Sequence, residues 1–362
     1  MFIYRSHIKA VCTAMAVIVS MLAFCTHAYA ANAATAEAAI LIECNSNRAL
    51  YEKNADKRLP MASTTKIMTA LTALRYFDPQ TEMAVPKEAV GIEGTSACLC
   101  EGEVYTLESL LYAMLLQSAN DAAAAIAINI GKSIEGFAVL MNQYAKELGL
   151  VNSNFKNPHG LPDSEHYTSA RELAVISSHA LKNECIRKIT ATKNAKIQSA
   201  NGKVRYFSNH NKMLSLYQGA NGVKTGYTKS SGRCLVSSAC RDGLQLVAVT
   251  LHSHDDWNEH ENMLDWGFEN YEAVSASSIN GLSRFVPVIG DGAGFVCATS
   301  EDVMITVKKG ELDSIKVVCE CPRFLYSPVR ESSVIGRNLY YCNEELVASS
   351  PIVSSHTVET IQ

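Results

Sequence analysis

With 362 residues the chain is long enough for one large domain and a smaller companion. Its 32 Lys and Arg against 36 Asp and Glu give a net charge of -4, which excludes the basic footprint of a nucleic-acid binder as well as an acidic tail. Apolar residues make up 48 % of the sequence, enough to fill a globular core.

Residues 1–30 read as a secretory leader. Arg5 and Lys9 form a positive start, 10–24 is an apolar run, and Ala28-Tyr29-Ala30 offers the small residues read before cleavage, expected after Ala30. The run is shorter than the roughly 20 apolar residues a spanning helix needs. Bulky Phe24 before Cys25 disfavours a lipid-anchored cysteine. An exported product is expected.

The run 38–43 is apolar and β-leaning, Asn45-Ser46-Asn47 is a turn cluster and 48–51 returns, which predicts a hairpin. Pro60 stops the extended stretch, and Ser63 suits a helix N-cap or first turn. Ile67, Leu71, Leu74 and Phe77 follow at helical spacing. A second helix follows Thr106, with Leu107, Leu110, Leu111, Met114 and Leu115 as its stripe. A third runs from about Asn120 to Ile130. Alanine favours helix and permits close packing, so this one is expected at the centre. Helices are also predicted over 134–148 and 170–181, with a loop at 157–162 between them.

From Gly222 the pattern changes to strands, 223–226, 233–239 and 244–251, the last two joined by Arg241-Asp242-Gly243. A helix over 258–268 follows. Strands at both ends with helices between predict an α+β domain over 31–275: a sheet closed by its terminal strands, with an inserted helical lobe. From 280 to 362 the texture is β-like, at 303–307, 315–319 and 339–342, which predicts a small all-β domain. Of 12 cysteines, Cys12 and Cys25 fall in the leader. The rest read as buried small residues with one or two disulfides. Cys98-x-Cys100 and Cys319-x-Cys321 lack zinc spacing and a nearby histidine, so no metal is expected.

Three strings carry chemistry. Ser63-Thr64-Thr65-Lys66 puts a hydroxyl and an amine one helical turn apart. A serine needs a base to become a nucleophile, and a lysine serves only when burial or a second cation lowers its pKa. Ser118-Ala119-Asn120 falls where one predicted helix ends and the next begins. Lys224-Thr225-Gly226 lies on a predicted strand, offering a charge, a hydroxyl for a carboxylate, and a glycine that lets a substrate backbone approach.

The order S-x-x-K, S-x-N, K-T-G is similar to that of penicillin-binding proteins and class A β-lactamases. From about Ala38 to Tyr271 the chain resembles the low-molecular-mass penicillin-binding proteins, the serine D-alanyl-D-alanine carboxypeptidases. Leu59-Pro60-Met61-Ala62-Ser63, Asn157-Pro158-His159-Gly160-Leu161 and His166-Tyr167-Thr168-Ser169-Ala170 extend the likeness. The resemblance implies a β-lactamase/transpeptidase-like fold, no cofactor, peptidoglycan stem peptides as substrates and β-lactam antibiotics as inhibitors. It implies that Ser63 attacks the carbonyl between two D-alanines and that Lys66 takes its proton. Ser118 would relay a proton to the leaving D-alanine, and Asn120 would hold Lys66 and the substrate amide. Lys224 and Thr225 would meet the terminal carboxylate beside Gly226, and the N–H groups of Ser63 and Tyr227 would form the oxyanion hole.

There are departures. The arginine some relatives carry after the K-T-G hairpin is missing from 254–259. The E-x-x-L-N loop of a β-lactamase is absent, and no amphipathic anchor is evident before Gln362. Intact Ser63, Lys66, Lys224 and Asn120 argue against a non-catalytic wall-binding module. His159 reads as a loop-shaping hydrogen bonder. The expected location is the outer face of the membrane or the cell wall.

Overall fold

The computed structural model describes residues 35–359 apart from 280–282, 291–293 and 301; the leader expected over 1–30 lies outside the described residues. Elements run β1 Ala38–Glu43, β2 Ala49–Lys53, a 3-10 turn Ala62–Thr65, α1 Lys66–Tyr76, β3 Glu82–Ala84, β4 Val104–Thr106, α2 Leu107–Leu116, α3 Asn120–Gly131, α4 Ile134–Glu147, α5 Ala170–Lys182 and α6 Glu184–Ala191. They continue as β5 Asn194–Gln198, β6 Val204–Ser208, the short α7 Met213–Leu216, β7 Ala220–Thr228, β8 Gly232–Arg241, β9 Leu244–Ser253 and α8 Asp256–Asn270.

The central sheet has the order β2-β1-β9-β8-β7, antiparallel throughout. The first strand is zipped to the late strand β9, Ala38 opposite Leu251 and Glu43 opposite Leu246, so the ends of the domain close its sheet. Alternation along the strands sorts the two faces. Leu41, Leu235, Leu246 and Ala248 pack with Met263 and Leu264 of α8. Ile40, Ile42, Val236, Val247 and Val249 face the helical lobe. Within that lobe α3 is buried from Asn120 to Ala127, the central position its alanines predict. Local chemistry sets the helix starts: Thr106, Ser133, Ser169 and Asn183 each accept a backbone N–H of the first turn.

The C-terminal region is all-β, as expected. β10 Tyr271–Ser275 pairs with β13 Met304–Lys308. β11 Ser283–Ile289, β12 Gly294–Ser300, β14 Ile315–Glu320, β15 Leu325–Tyr326, β16 Val334–Cys342 and β17 Glu345–Ser354 form a six-stranded sheet, β14-β16-β17-β12-β11-β15. One apolar cluster joins the two sheets, with Ile305 and Val307 of β13 and Ala276 packed beside Tyr340 and Cys342 of β16 and Val347 of β17. The cysteines need a correction. Nine carry free thiols, and Cys98, Cys100 and Cys240 are exposed, so the expected disulfides are not formed among the described residues. The buried ones fill core positions singly, Cys44 beside the Ser178 carbonyl and Cys234 beside that of Pro60. Among the described residues no single helix is long and apolar enough to cross a membrane.

Candidate active site

The turn carrying Ser63 is made by its neighbours' hydroxyls. Thr64 donates to the Met61 carbonyl at 2.6 Å and Thr65 to that of Ala62 at 2.8 Å. This winds a tight 3-10 turn that passes directly into α1 at Lys66. Two glycines let other segments press on that turn. A Cβ on Gly160, which has φ +88°, would lie 1.9 Å from the Ala62 carbonyl oxygen. One on Gly226 would stand 3.0 Å from the Ser63 nitrogen. The close approach at Gly226 is made by the Ser63 turn, where the sequence suggested a substrate backbone.

Lys66 is fully buried, and its Nζ has three partners: Asn120 Oδ1 at 2.7 Å, the His159 carbonyl oxygen at 2.6 Å and Ser63 Oγ at 2.9 Å. Burial first, and then the positive charge of Lys224, hold its amine well below 10.5, against an opposing pull from Asp121. A neutral lysine has two N–H groups and one lone pair. Two of its neighbours are carbonyl oxygens, which only accept. Nζ donates to Ser63 Oγ, whose hydroxyl points to the His159 carbonyl at 3.5 Å. In the neutral form the two carbonyls can take both N–H groups and the lone pair can turn to the serine hydroxyl, as a general base requires.

Asn120 opens α3, and its Nδ2 donates to the Glu93 carbonyl at 2.6 Å, which turns Oδ1 toward Lys66. Ser118, almost buried and with φ 64°, stands two residues earlier in the turn between α2 and α3. Lys224 is buried on β7, with Nζ donating to the Thr225 carbonyl at 3.0 Å, and burial brings its ammonium down to about 7. Tyr227 is 67 % exposed further along this edge strand. The three motifs thus meet around one turn, with Gly226 against Ser63 and Asn120 against Lys66.

Sequence reasoning read His159 through its ring. The ring does shape the loop, its Nδ1 accepting the Leu161 N–H at 3.3 Å, and burial lowers it to about 3. Its contact with Lys66, however, is made by the backbone carbonyl, which a residue type does not reveal. His166 was also missed as a support. It accepts the Lys156 N–H at Nδ1, 3.0 Å, so its Nε2 proton is free to meet Thr65 Oγ1 at 2.7 Å, directly behind the Ser63 turn. Arg233 lies opposite Tyr227 on β8 but is tied to Asp256 at 3.0 Å. His260 is buried between Ser237 and Thr250 hydroxyls. Among the described residues no His, Cys, Asp and Glu cluster could hold a metal.

The sequence pattern of a family described as D-alanyl-D-alanine carboxypeptidase matches residues 25–255, and that of the penicillin-binding protein 5 C-terminal domain matches 289–360. The chain is 32 % identical over 334 residues to the D-alanyl-D-alanine carboxypeptidase DacF of Bacillus subtilis, covering 90 % of this chain and 86 % of that protein. It is 30 % identical over 342 residues to DacC of Escherichia coli, covering 90 % and 84 %. Penicillin-binding protein 5 from Haemophilus influenzae has a similar structure, with TM-score 0.72, 26 % identity, and coverage of 90 % of this chain and 98 % of that one.

Proposed function

Since the chain belongs to the D-alanyl-D-alanine carboxypeptidase family of serine hydrolases, we propose that it removes the terminal D-alanine from peptidoglycan pentapeptides through an acyl-enzyme on Ser63. The observation that carries this reading is Lys66 Nζ buried 2.9 Å from Ser63 Oγ, with the carbonyl oxygens of Asn120 and His159 as its other two partners. Lys66 takes the hydroxyl proton as Oγ bonds to the carbonyl carbon between the two D-alanines. The oxyanion is met by the N–H groups of Ser63 and Tyr227. As the C–N bond breaks, Ser118 gives its hydroxyl proton to the leaving amine and takes in its place the proton held by Lys66, which leaves Lys66 neutral again. Water then attacks the ester, with Lys66 and Ser118 moving its proton, and frees Ser63. Lys224, in its charged form, and Thr225 hold the terminal carboxylate, and Asn120 holds Lys66.

Three further points belong to this reading. The leader pattern of residues 1–30 supports export to the outer face of the membrane or the wall, where such peptides lie. The peptidase domain spans 31–275, and a β domain spans 280–362. β-Lactam antibiotics acylate the same serine. The opened ring stays tethered to Ser63, and the chain lacks the E-x-x-L-N glutamate, so the penicilloyl ester outlives a peptide turnover by several factors of ten. The test is D-alanine release from a pentapeptide, measured beside the lifetime of the penicillin adduct. D-alanine release with a persistent adduct is expected. Penicillin turnover as fast as peptide turnover would make the protein a β-lactamase.

A further inference from the structure

We propose that Arg205 is a positioning residue for this site, acting through the loop 93–98 on the amide of Asn120; the inference rests on the acyl-enzyme reading above. Asn120 can serve Lys66 only if its oxygen, and not its NH2 group, faces the amine. The loop decides which end faces in: Glu93 presents a carbonyl to Asn120 Nδ2 at 2.6 Å, and Thr95 presents one to the Asn120 N–H at 2.7 Å. The orientation is therefore as firm as the loop.

The loop is gripped by opposite charges. From α3, Asp121 accepts the N–H groups of Ala97 and Leu99, both at 3.0 Å, and the Ser96 hydroxyl at 2.6 Å. From β6, Arg205 donates to the carbonyls of Ala97 at 2.9 Å and Cys98 at 2.6 Å. Both sides of one short stretch of backbone are thus fixed, the donors by a carboxylate and the acceptors by a guanidinium fork. Arg205 is itself anchored. It is 9 % exposed, pairs with Glu103 at 2.8 Å and donates to the Tyr105 hydroxyl. Burial pushes the Glu103 carboxyl up, but the Cys100 N–H, Lys203 and Arg205 outweigh it and hold it below the usual range. Asp121 neighbours Asn120 in sequence, whereas Arg205 reaches the loop from a separate hairpin, β5–β6. The geometry makes that hairpin part of what sets the catalytic amide.

The test is the double variant Arg205→Met/Glu103→Gln, which leaves no buried charge without its partner. Penicillin acylation of the folded protein is followed across pH, beside a melting curve. The expected result is a folded protein acylated roughly tenfold or more slowly, a barrier increase of about 1.4 kcal/mol or more. Its acidic limb moves to lower pH, because Lys66 loses an acceptor that favours its ammonium form. A purely structural role would lower the melting temperature and leave that limb in place. Lys203→Ala removes the exposed partner of Glu103, which touches neither loop carbonyl, and should acylate at the wild-type rate. A wild-type rate in the double variant, an unmoved limb, or equal slowing by Lys203→Ala would overturn the proposal. If the double variant does not fold, Arg205→Lys, which keeps the charge but lacks the fork, is read by the same criteria. Failure of the wild type itself to acylate would instead sink the functional reading.

Discussion

Replacing Lys66 by arginine separates a base from a charge. Lys66 lies fully buried with three partners at 2.6 to 2.9 Å, and its amine is held well below 10.5, first by burial and then by Lys224. A guanidinium keeps the positive charge but stays protonated, with a neutral fraction below about one in 10⁵ at neutral pH. The lone pair that can turn to Ser63 Oγ becomes a donor. A positioned general base contributes about 10²- to 10⁴-fold, or roughly 3 to 5 kcal/mol of barrier. Fluorescent penicillin labelling of Lys66→Arg should slow by that amount, while circular dichroism still shows a folded protein. The wild-type profile should lose rate as pH falls through the Lys66 pKa, because the proton occupies the lone pair, and the variant should lack that limb. With a carboxylate-bearing peptide the rate should also fall above about pH 7, where Lys224 loses its charge. Labelling within a few-fold of wild type would mean that another group takes the Ser63 proton.

Two more outcomes follow from the packing. Gly160→Ala forces a left-handed alanine, at about 1 to 2 kcal/mol, with its Cβ 1.9 Å from the Ala62 carbonyl oxygen. The loop must withdraw and take the His159 carbonyl from Lys66, so both melting temperature and labelling rate should drop; wild-type labelling would contradict the packing argument. Burial lowers His159 and His260 to about 3 and His166 to about 4, against 6.5 unfolded. Between about pH 6.5 and 4 the unfolded chain binds these protons and the folded one does not. Stability is therefore full above that window and falls as pH drops, by up to about 1.4 kcal/mol per unit for each histidine. His260→Gln should flatten the pH dependence of the melting temperature, and an unchanged slope would refute that assignment.

The three strings that meet at the candidate site were legible because each is short and local. Ser63 and Lys66 share one turn, Ser118 and Asn120 share one helix junction, and Lys224-Thr225-Gly226 is one strand segment. Their convergence came from the resemblance, since no spacing says that Gly226 touches the Ser63 turn. The His159 carbonyl was hidden because any residue has one. Arg205 was hidden because its hairpin is polar: β5 and β6 bury only Ile197, Phe207 and Arg205 itself, so their alternation is faint. In the C-terminal sheet, Pro287 within β11 and the irregular pairing of β16 with β17 near Gly336 and Tyr341 broke the strand pattern. The exposed cysteines ran against the usual burial of thiols.

The central claim is that Ser63 forms the acyl-enzyme. Its most direct test is the mass of the intact protein after penicillin treatment, with the adduct mapped by peptide digestion. The wild type should gain one penicilloyl group, on the peptide containing Ser63, and Ser63→Ala should melt as a folded protein with no gain in mass. An adduct retained on Ser63→Ala, or mapped to a different residue of the wild type, would contradict the account.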